Sequence, residues 1–255
     1  MRPEFLRLTR DGDVATLTLR RPPLNIMTLE MVAELVQVIE ALHGGTDLRL
    51  LVIAAEGEVF SAGVDVADHT ADRVGRMIAL VTRKFQLLLG LECPTLAVVQ
   101  GTALGGGCEL ALACDLVLAA EEAVFGQPEI SLGVWAPVAM VLLPRLVGLR
   151  RALALLLTGA RIPAPEAERL GLITAAVPGA QLADEAARLI STLRELSAPV
   201  LRSCKATVRE HLDQPIAQAL EAVGQQYLGR LMALEDPHEG LAAFLEKRRP
   251  RWRQR

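Results

Sequence analysis

Three consecutive glycines, Gly105-Gly106-Gly107, stand where a strand-like apolar run meets a helix-like apolar run. Thr95 to Gln100 reads as a buried strand and Cys108 to Cys114 as a short helix. Without a Cβ, glycine permits a tight turn and lets a backbone N–H come close to a ligand. The first N–H groups of a helix have no internal partner, and the helix dipole favours negative charge there. The junction therefore predicts a strand–turn–helix unit of an α/β protein, with donors placed to meet an oxyanion. It lacks the Lys-Ser/Thr of a phosphate-binding P-loop and the G-x-G-x-x-G spacing of a dinucleotide fold. Taken alone, the run is better explained as a tight turn that binds nothing.

Two carboxylates change that balance. Glu109 lies in Cys108-Glu109-Leu110-Ala111-Leu112-Ala113-Cys114, an otherwise apolar helix. A buried carboxylate is costly unless partnered. Its bland explanation is a structural arginine, with Arg145 and Arg150 as the available candidates. Glu129 follows Gly126-Gln127-Pro128, and its bland explanation is a solvated loop. Two acidic groups in apolar surroundings divide acid and base roles when their environments differ. Beside a glycine loop they point to proton transfer next to a polarised carbonyl.

Other features weigh less. His69 follows Asp68, but no serine or cysteine stands in a nucleophile elbow, so His69 is read as an exposed loop or helix-start residue. Cys93, Cys108, Cys114 and Cys204 include no C-x-x-C pair and no zinc spacing, which suits reduced thiols in a cytoplasmic protein. The segment Met1-Arg2-Pro3-Glu4-Phe5 carries no signal-peptide core. No apolar run reaches the ~18 residues of a membrane span. The net charge of −3 disfavours nucleic acid as a partner. The basic run Lys247, Arg248, Arg249, Arg251, Arg253 and Arg255 is expected to be mostly a solvated tail, with one or two members free to meet phosphates.

Periodicity completes the outline. Val14 to Leu19 alternates as a strand. Thr28 caps a helix with the stripe Val32, Leu35, Ile39 and Leu42, stopped by His43-Gly44-Gly45. Leu48 to Ala54 is a buried strand, Thr70 to Leu91 a helix, Leu116 to Ala119 a strand, and Gly171 to Pro178 a strand-like run. Helical patterns follow at Ala183 to Glu195, Pro199 to His211 and Ile216 to Leu234. Strands thus crowd the first two thirds, predicting an α/β core over residues 1–195 and a helical region over 196–255. The high apolar content, 51%, is ample for a sizeable core.

The chain resembles the crotonase superfamily of enoyl-CoA hydratases and isomerases. The resemblance rests on Phe60-Ser61-Ala62-Gly63-Val64-Asp65, Ala103 to Ala113 with Cys114-Asp115, Phe125 to Glu129, Leu157-Thr158-Gly159, and Glu239-Gly240 with Ala243 to Arg248. It implies a spiral of ββα units with a C-terminal helical trimerisation region, assembled as a homotrimer or hexamer. It also implies an oxyanion hole from the N–H groups of Val64 and Gly106, with Glu109 and Glu129 as the two hydratase carboxylates. Ala62 and Val66 match backbone positions that meet the adenine of coenzyme A. Phe244 and Lys247 match positions near its adenosine phosphates. Coenzyme A enters as part of the substrate, and no separate cofactor, metal, membrane or nucleic-acid partner is implied.

Two departures mark this chain. Ala67 stands where common hydratases place a phosphate-binding lysine. Gly133-Val134-Trp135-Ala136-Pro137-Val138-Ala139 replaces their glycine-rich loop, so Trp135 and Pro137 reshape the acyl pocket and Pro137 withdraws an N–H. These segments, with Pro22 to Thr28 and Gly63 to Thr70, resemble the cyclohexa-1,5-dienecarbonyl-CoA hydratases. The expected reaction is water addition to, or loss from, an unsaturated acyl-CoA. The alternatives are an enoyl-CoA isomerase, or a non-catalytic acyl-CoA- or RNA-binding protein on the same fold.

Overall fold

The computed structural model describes residues 3–45 and 47–254; Met1, Arg2 and Arg255, which the sequence reading touches, lie outside them. Two compact units emerge. One runs up to Leu91 and resumes over Thr95–Ala187; the other comprises Glu92–Pro94 and the chain from Arg188 onward.

The first unit begins with a hairpin, β1 (Leu6–Asp11) and β2 (Val14–Leu19), turning at Gly12 with φ 60°. Then come α1 (Leu29–Leu42), β3 (Leu50–Ala55), α2 (Val74–Leu89), β4 (Thr95–Val99), β5 (Ala103–Leu104), α3 (Gly106–Leu112), β6 (Leu116–Ala120) and β7 (Val124–Gly126). The unit continues through α4 (Ala139–Val147), α5 (Leu149–Thr158), β8 (Arg161–Pro163), α6 (Ala164–Arg169), β9 (Ala175–Val177) and the start of α7 (Leu182–Arg194). One six-stranded sheet has the order β1-β2-β3-β4-β6-β9, parallel apart from the β1–β2 pair. A second, three-stranded sheet has the order β5-β7-β8. Parallel strands covered by helices read as continuous apolar runs, and Leu50, Leu51, Val52 and Ile53 are all buried.

The α/β expectation is borne out, and so is the helix capped by Thr28, whose hydroxyl accepts from the Met31 N–H at 3.4 Å. Its stripe Val32, Leu35, Ile39 and Leu42 is buried. Three boundaries shift. The helix expected from Thr70 starts at Val74, because residues 66–69 form a separate 3-10 turn capped by the Asp65 carboxylate. The strand expected from Gly171 shortens to Ala175–Val177, because Gly171, at φ 77°, still closes α6 with its N–H on the Glu168 carbonyl. The helix expected over Ile216 to Leu234 is α9 (Ile216–Gln226), followed by a π-helical turn at Tyr227–Leu231. Gly224 and Gly229 lower the helix propensity there.

The second unit is helical: most of α7, then α8 (Ala198–His211), α9 and α10 (Glu235–Leu245). Its basic end is solvent-exposed, as expected of a solvated tail, and is also tied down. Arg248 makes a two-pronged pair with Glu239, at 2.6 and 3.0 Å, and reaches Glu246 at 2.6 Å. The buried Asp236 accepts from the N–H groups of Arg253 and Gln254 and from the Ser197 hydroxyl. Trp252 donates its indole N–H to the Glu195 carbonyl at 2.6 Å. These charge-assisted bonds fold the run back onto its own unit. Among the described residues, no helix is long and apolar enough to cross a membrane.

Candidate active site

The buried Asn25 organises one wall. Its side chain donates to the carbonyls of Glu56 and Val59 and accepts from the Arg21 N–H. The following segment then pairs with the stretch carrying Val64: Ala62 N–H to the Leu24 carbonyl, Met27 N–H to the Gly63 carbonyl, and Asp65 N–H to the Met27 carbonyl. The Val64 N–H is left out of this ladder and has no acceptor among the described residues.

The glycine run faces it. Gly106 is the first residue of α3, so its N–H is outside the helical ladder. A Cβ on Gly106 would fall 2.8 Å from Val64 Cγ2, 3.3 Å from Met27 Cε and 3.5 Å from the Val64 nitrogen. Only glycine fits this closely against the Val64 segment. Gly105 carries φ 51° and ψ −128°, a conformation that glycine adopts without strain. A Cβ there would lie 2.5 Å from Glu129 Oε1. The run is thus built around neighbours on both sides, Val64 and Met27 against Gly106 and Glu129 against Gly105.

Glu109, 2% exposed, is carried into this core by α3. Its partners are not arginines. Oε1 accepts from the Val138 and Ala139 N–H groups, at 2.9 and 2.8 Å, at the start of α4. Arg145 instead turns back to the Val141 carbonyl. Burial holds the Glu109 carboxyl above its ordinary value, an effect that the Ala139 N–H, the positive charge of Lys84 and the Val138 N–H offset only in part. Glu129 sits in a 3-10 turn, Pro128–Leu132, and its Oε2 is buried with no hydrogen-bond partner. Burial, and then the neighbouring Glu109 charge, raise it to about 7. The solvated-loop explanation fails with it. Cys108, which feels both carboxyls, is pushed up to about 12, chiefly by burial, and stays a neutral thiol.

Val64, Gly106, Glu109 and Glu129 are therefore brought near one another. Ala62 lies on the Val64 segment, with its N–H spent on the Leu24 carbonyl. Val66 is exposed at the start of the 3-10 turn, where the buried Asp68 ties to the Leu29 N–H and to Arg73. His69 is half-buried, its ring at 3.1 Å from the Asp65 carbonyl, with no carboxylate relay. Trp135, 59% exposed, and Pro137 stand on the loop leading to the two N–H groups that hold Glu109. Phe244, 82% exposed at the end of α10, and Lys247, at φ 55°, belong to the second unit.

Sequence reasoning missed Lys84. It is 0% exposed on α2, beneath the site, at a position of the apolar stripe Met77, Val81, Phe85 and Leu88. A lysine interrupting a buried stripe was the available signal.

The chain matches the enoyl-CoA hydratase/isomerase family over residues 9–255. It is 39% identical over 249 residues to a cyclohexa-1,5-dienecarbonyl-CoA hydratase of Thauera aromatica, covering 97% of this chain and 96% of that one. It is 34% identical over 252 residues to a crotonyl-CoA hydratase of Syntrophomonas wolfei, covering 96% of each. Among solved structures, an enoyl-CoA hydratase from Bacillus anthracis superposes with a TM-score of 0.93 at 28% identity, covering 99% of this chain and 100% of that one.

Proposed function

Because this chain belongs to the enoyl-CoA hydratase/isomerase family, we propose that it adds water reversibly to an unsaturated acyl-CoA thioester. The observation that carries the reading is two dissimilar carboxyls converging on two unpaired backbone N–H groups. The thioester carbonyl accepts from the N–H groups of Val64 and Gly106, which draws electron density from the conjugated alkene. Glu109, held by two amide donors and faced by a positive charge, is the ionised partner. Glu129, raised to about 7 and lacking a donor at Oε2, is the acid.

Water lies between them. Its oxygen bonds to the remote alkene carbon and its proton passes to Glu109. The alkene electrons move onto the carbonyl oxygen as an enolate, which the two N–H groups stabilise. The enolate collapses as Glu129 delivers its proton to carbon. Proton exchange between the carboxyls restores the starting state. The sequence is complete with carboxyls and amides, and coenzyme A comes and goes with the substrate. Both glutamates have work here, whereas an isomerase needs one proton shuttle; a hydroxyacyl product separates the two.

The acyl group we propose is a compact conjugated ring. Trp135 offers a flat, exposed indole near the end of the loop that steadies Glu109, and Pro137 adds stiffness. A planar dienoyl ring stacks on such a wall, while a flexible chain loses more entropy on ordering. The likeness to the Thauera aromatica relative supports the ring, as the Syntrophomonas wolfei relative supports a short linear chain. The test compares kcat/KM for crotonyl-CoA, a longer linear enoyl-CoA, cyclohex-1-enecarbonyl-CoA and cyclohexa-1,5-dienecarbonyl-CoA. Preference for linear substrates removes the ring and keeps the hydratase. Turnover of none removes both.

A further inference from the structure

We infer that Lys84 is a positioning residue: from beneath the site, its buried ammonium holds Glu109 in the ionised form and, through Met27, steadies the oxyanion wall. The inference rests on the hydratase reading for its purpose, though not for its test.

Burying a lysine needs a reason. An ammonium has three donors, yet the groups Lys84 Nζ meets are soft ones. They are Met27 Sδ at 3.8 Å and the Phe85 ring, whose centroid is 4.3 Å away. Were Lys84 there only to fill α2's apolar face, methionine or leucine would fill it at lower cost. Its electrostatic partner is Glu109, which acts on it across a gap instead of closing a salt bridge. A direct pair would lock a Glu109 oxygen onto the lysine; separation leaves the carboxylate free to receive a proton. Burial pushes the Lys84 amine down to about 8, and Glu109 pulls it back, so the amine keeps its charge at neutral pH.

The groups facing Glu109 make the balance explicit. Lys84 comes from α2 and Glu129 from the turn after β7; Cys108 contributes a neutral thiol, and α4 contributes two N–H donors. Lys84 is the one positive side chain among them. Met27 gives the second link. Its nitrogen and oxygen bracket Val64 through Gly63 and Asp65, its Cε lies against Gly106, and its sulfur receives Lys84.

The test replaces Lys84 with methionine, an apolar side chain of similar length, and titrates Glu109 directly by isotope-edited infrared spectroscopy of the unliganded protein. We expect the Glu109 midpoint to rise by about one pH unit or more, the size typical of losing a nearby opposite charge. The acid limb of kcat should move the same way, with KM changed less than kcat. Lys84→Arg should restore part of the shift. If Lys84→Met fails to fold, the reciprocal experiment decides: in Glu109→Gln, the Lys84 midpoint, followed by nitrogen NMR, should fall. An unmoved Glu109 midpoint in folded Lys84→Met, or an unmoved Lys84 midpoint in Glu109→Gln, overturns the inference. Because both readouts are titrations, they hold even if no enoyl-CoA is turned over, which is the result that would sink the hydratase reading.

Discussion

Replacing Glu129 with glutamine should make the protein more stable at alkaline pH while nearly abolishing turnover. Glu129 titrates at 4.5 in its ordinary state and at about 7 in the fold, chiefly because of burial. The folded state therefore holds a proton that the unfolded chain has already released. A raised carboxyl contributes its full stabilisation below pH 4.5 and loses it as pH climbs through 7. The shift of 2.5 units, 7 minus 4.5, corresponds to roughly 3 kcal/mol. The side chain is only part-buried, and solvent screening reduces this to about 1.5 kcal/mol. Glutamine keeps the shape and has nothing to titrate. The assay is urea unfolding of wild type and Glu129→Gln at one protein concentration, at about pH 5 and about pH 8.5, bracketing the raised midpoint. Comparing the two pH values cancels the fixed cost of burying an amide. The variant should gain on wild type by about 1 to 1.5 kcal/mol between them. A gap that is constant, or that moves the other way, refutes the assigned environment of Glu129. Turnover of the same variant should fall ~10²–10⁴-fold.

Further outcomes follow from the same geometry. Glu109→Gln should also lose ~10²–10⁴ in kcat at matched folding, and a loss of only a few-fold would break the two-carboxyl mechanism. His69→Ala should stay within a few-fold of wild type, since its ring meets only the Asp65 carbonyl; a large drop in kcat would return it to the machinery. Gly107→Ala would place a Cβ 2.5 Å from the Ser61 carbonyl oxygen and 2.6 Å from the Ser61 Cβ. Backbone must move, so urea unfolding should show a loss of about 1–3 kcal/mol; an unchanged midpoint would contradict the packing. Ile216 and Leu220 expose 79% and 70% of their surface along one face of α9, so sedimentation at micromolar concentration should show a trimer or hexamer. A monomer would count against that reading.

The sequence was legible where local chemistry is self-contained. Thr28 and the stripe behind it announced α1, and the apolar runs announced β3, β4 and β6. β1 was missed because five of its six residues are exposed and it exists through pairing with β2. α4 was obscured by Pro144 inside it. In the site, Glu109, Glu129 and the glycines stood out by residue type. Their partners did not. The donors to Glu109 are backbone N–H groups of Val138 and Ala139, which carry no side-chain signature, so arginine seemed the natural answer. The charge and solvation of the basic tail were plain, but the contacts to Asp236 and Glu239 that tie it down are apparent only in three dimensions.

The backbone tether between Glu109 and the start of α4 bears on how this scaffold can be diversified. Because the carboxylate is held by N–H groups, no side chain at Val138 or Ala139 supplies its donors, although the buried Ala136 and Ala139 and the left-handed Gly133 still shape the loop that presents them. A library varying Val134, Trp135 and Pro137 would test whether the surface of this loop can be changed while the backbone donors to Glu109 are kept. The forbidden letter at positions 138 and 139 is proline, which would delete the donor. The hold on Glu109 is thus written in the main chain of one short loop, which leaves the exposed Trp135 side chain to vary without touching those donors.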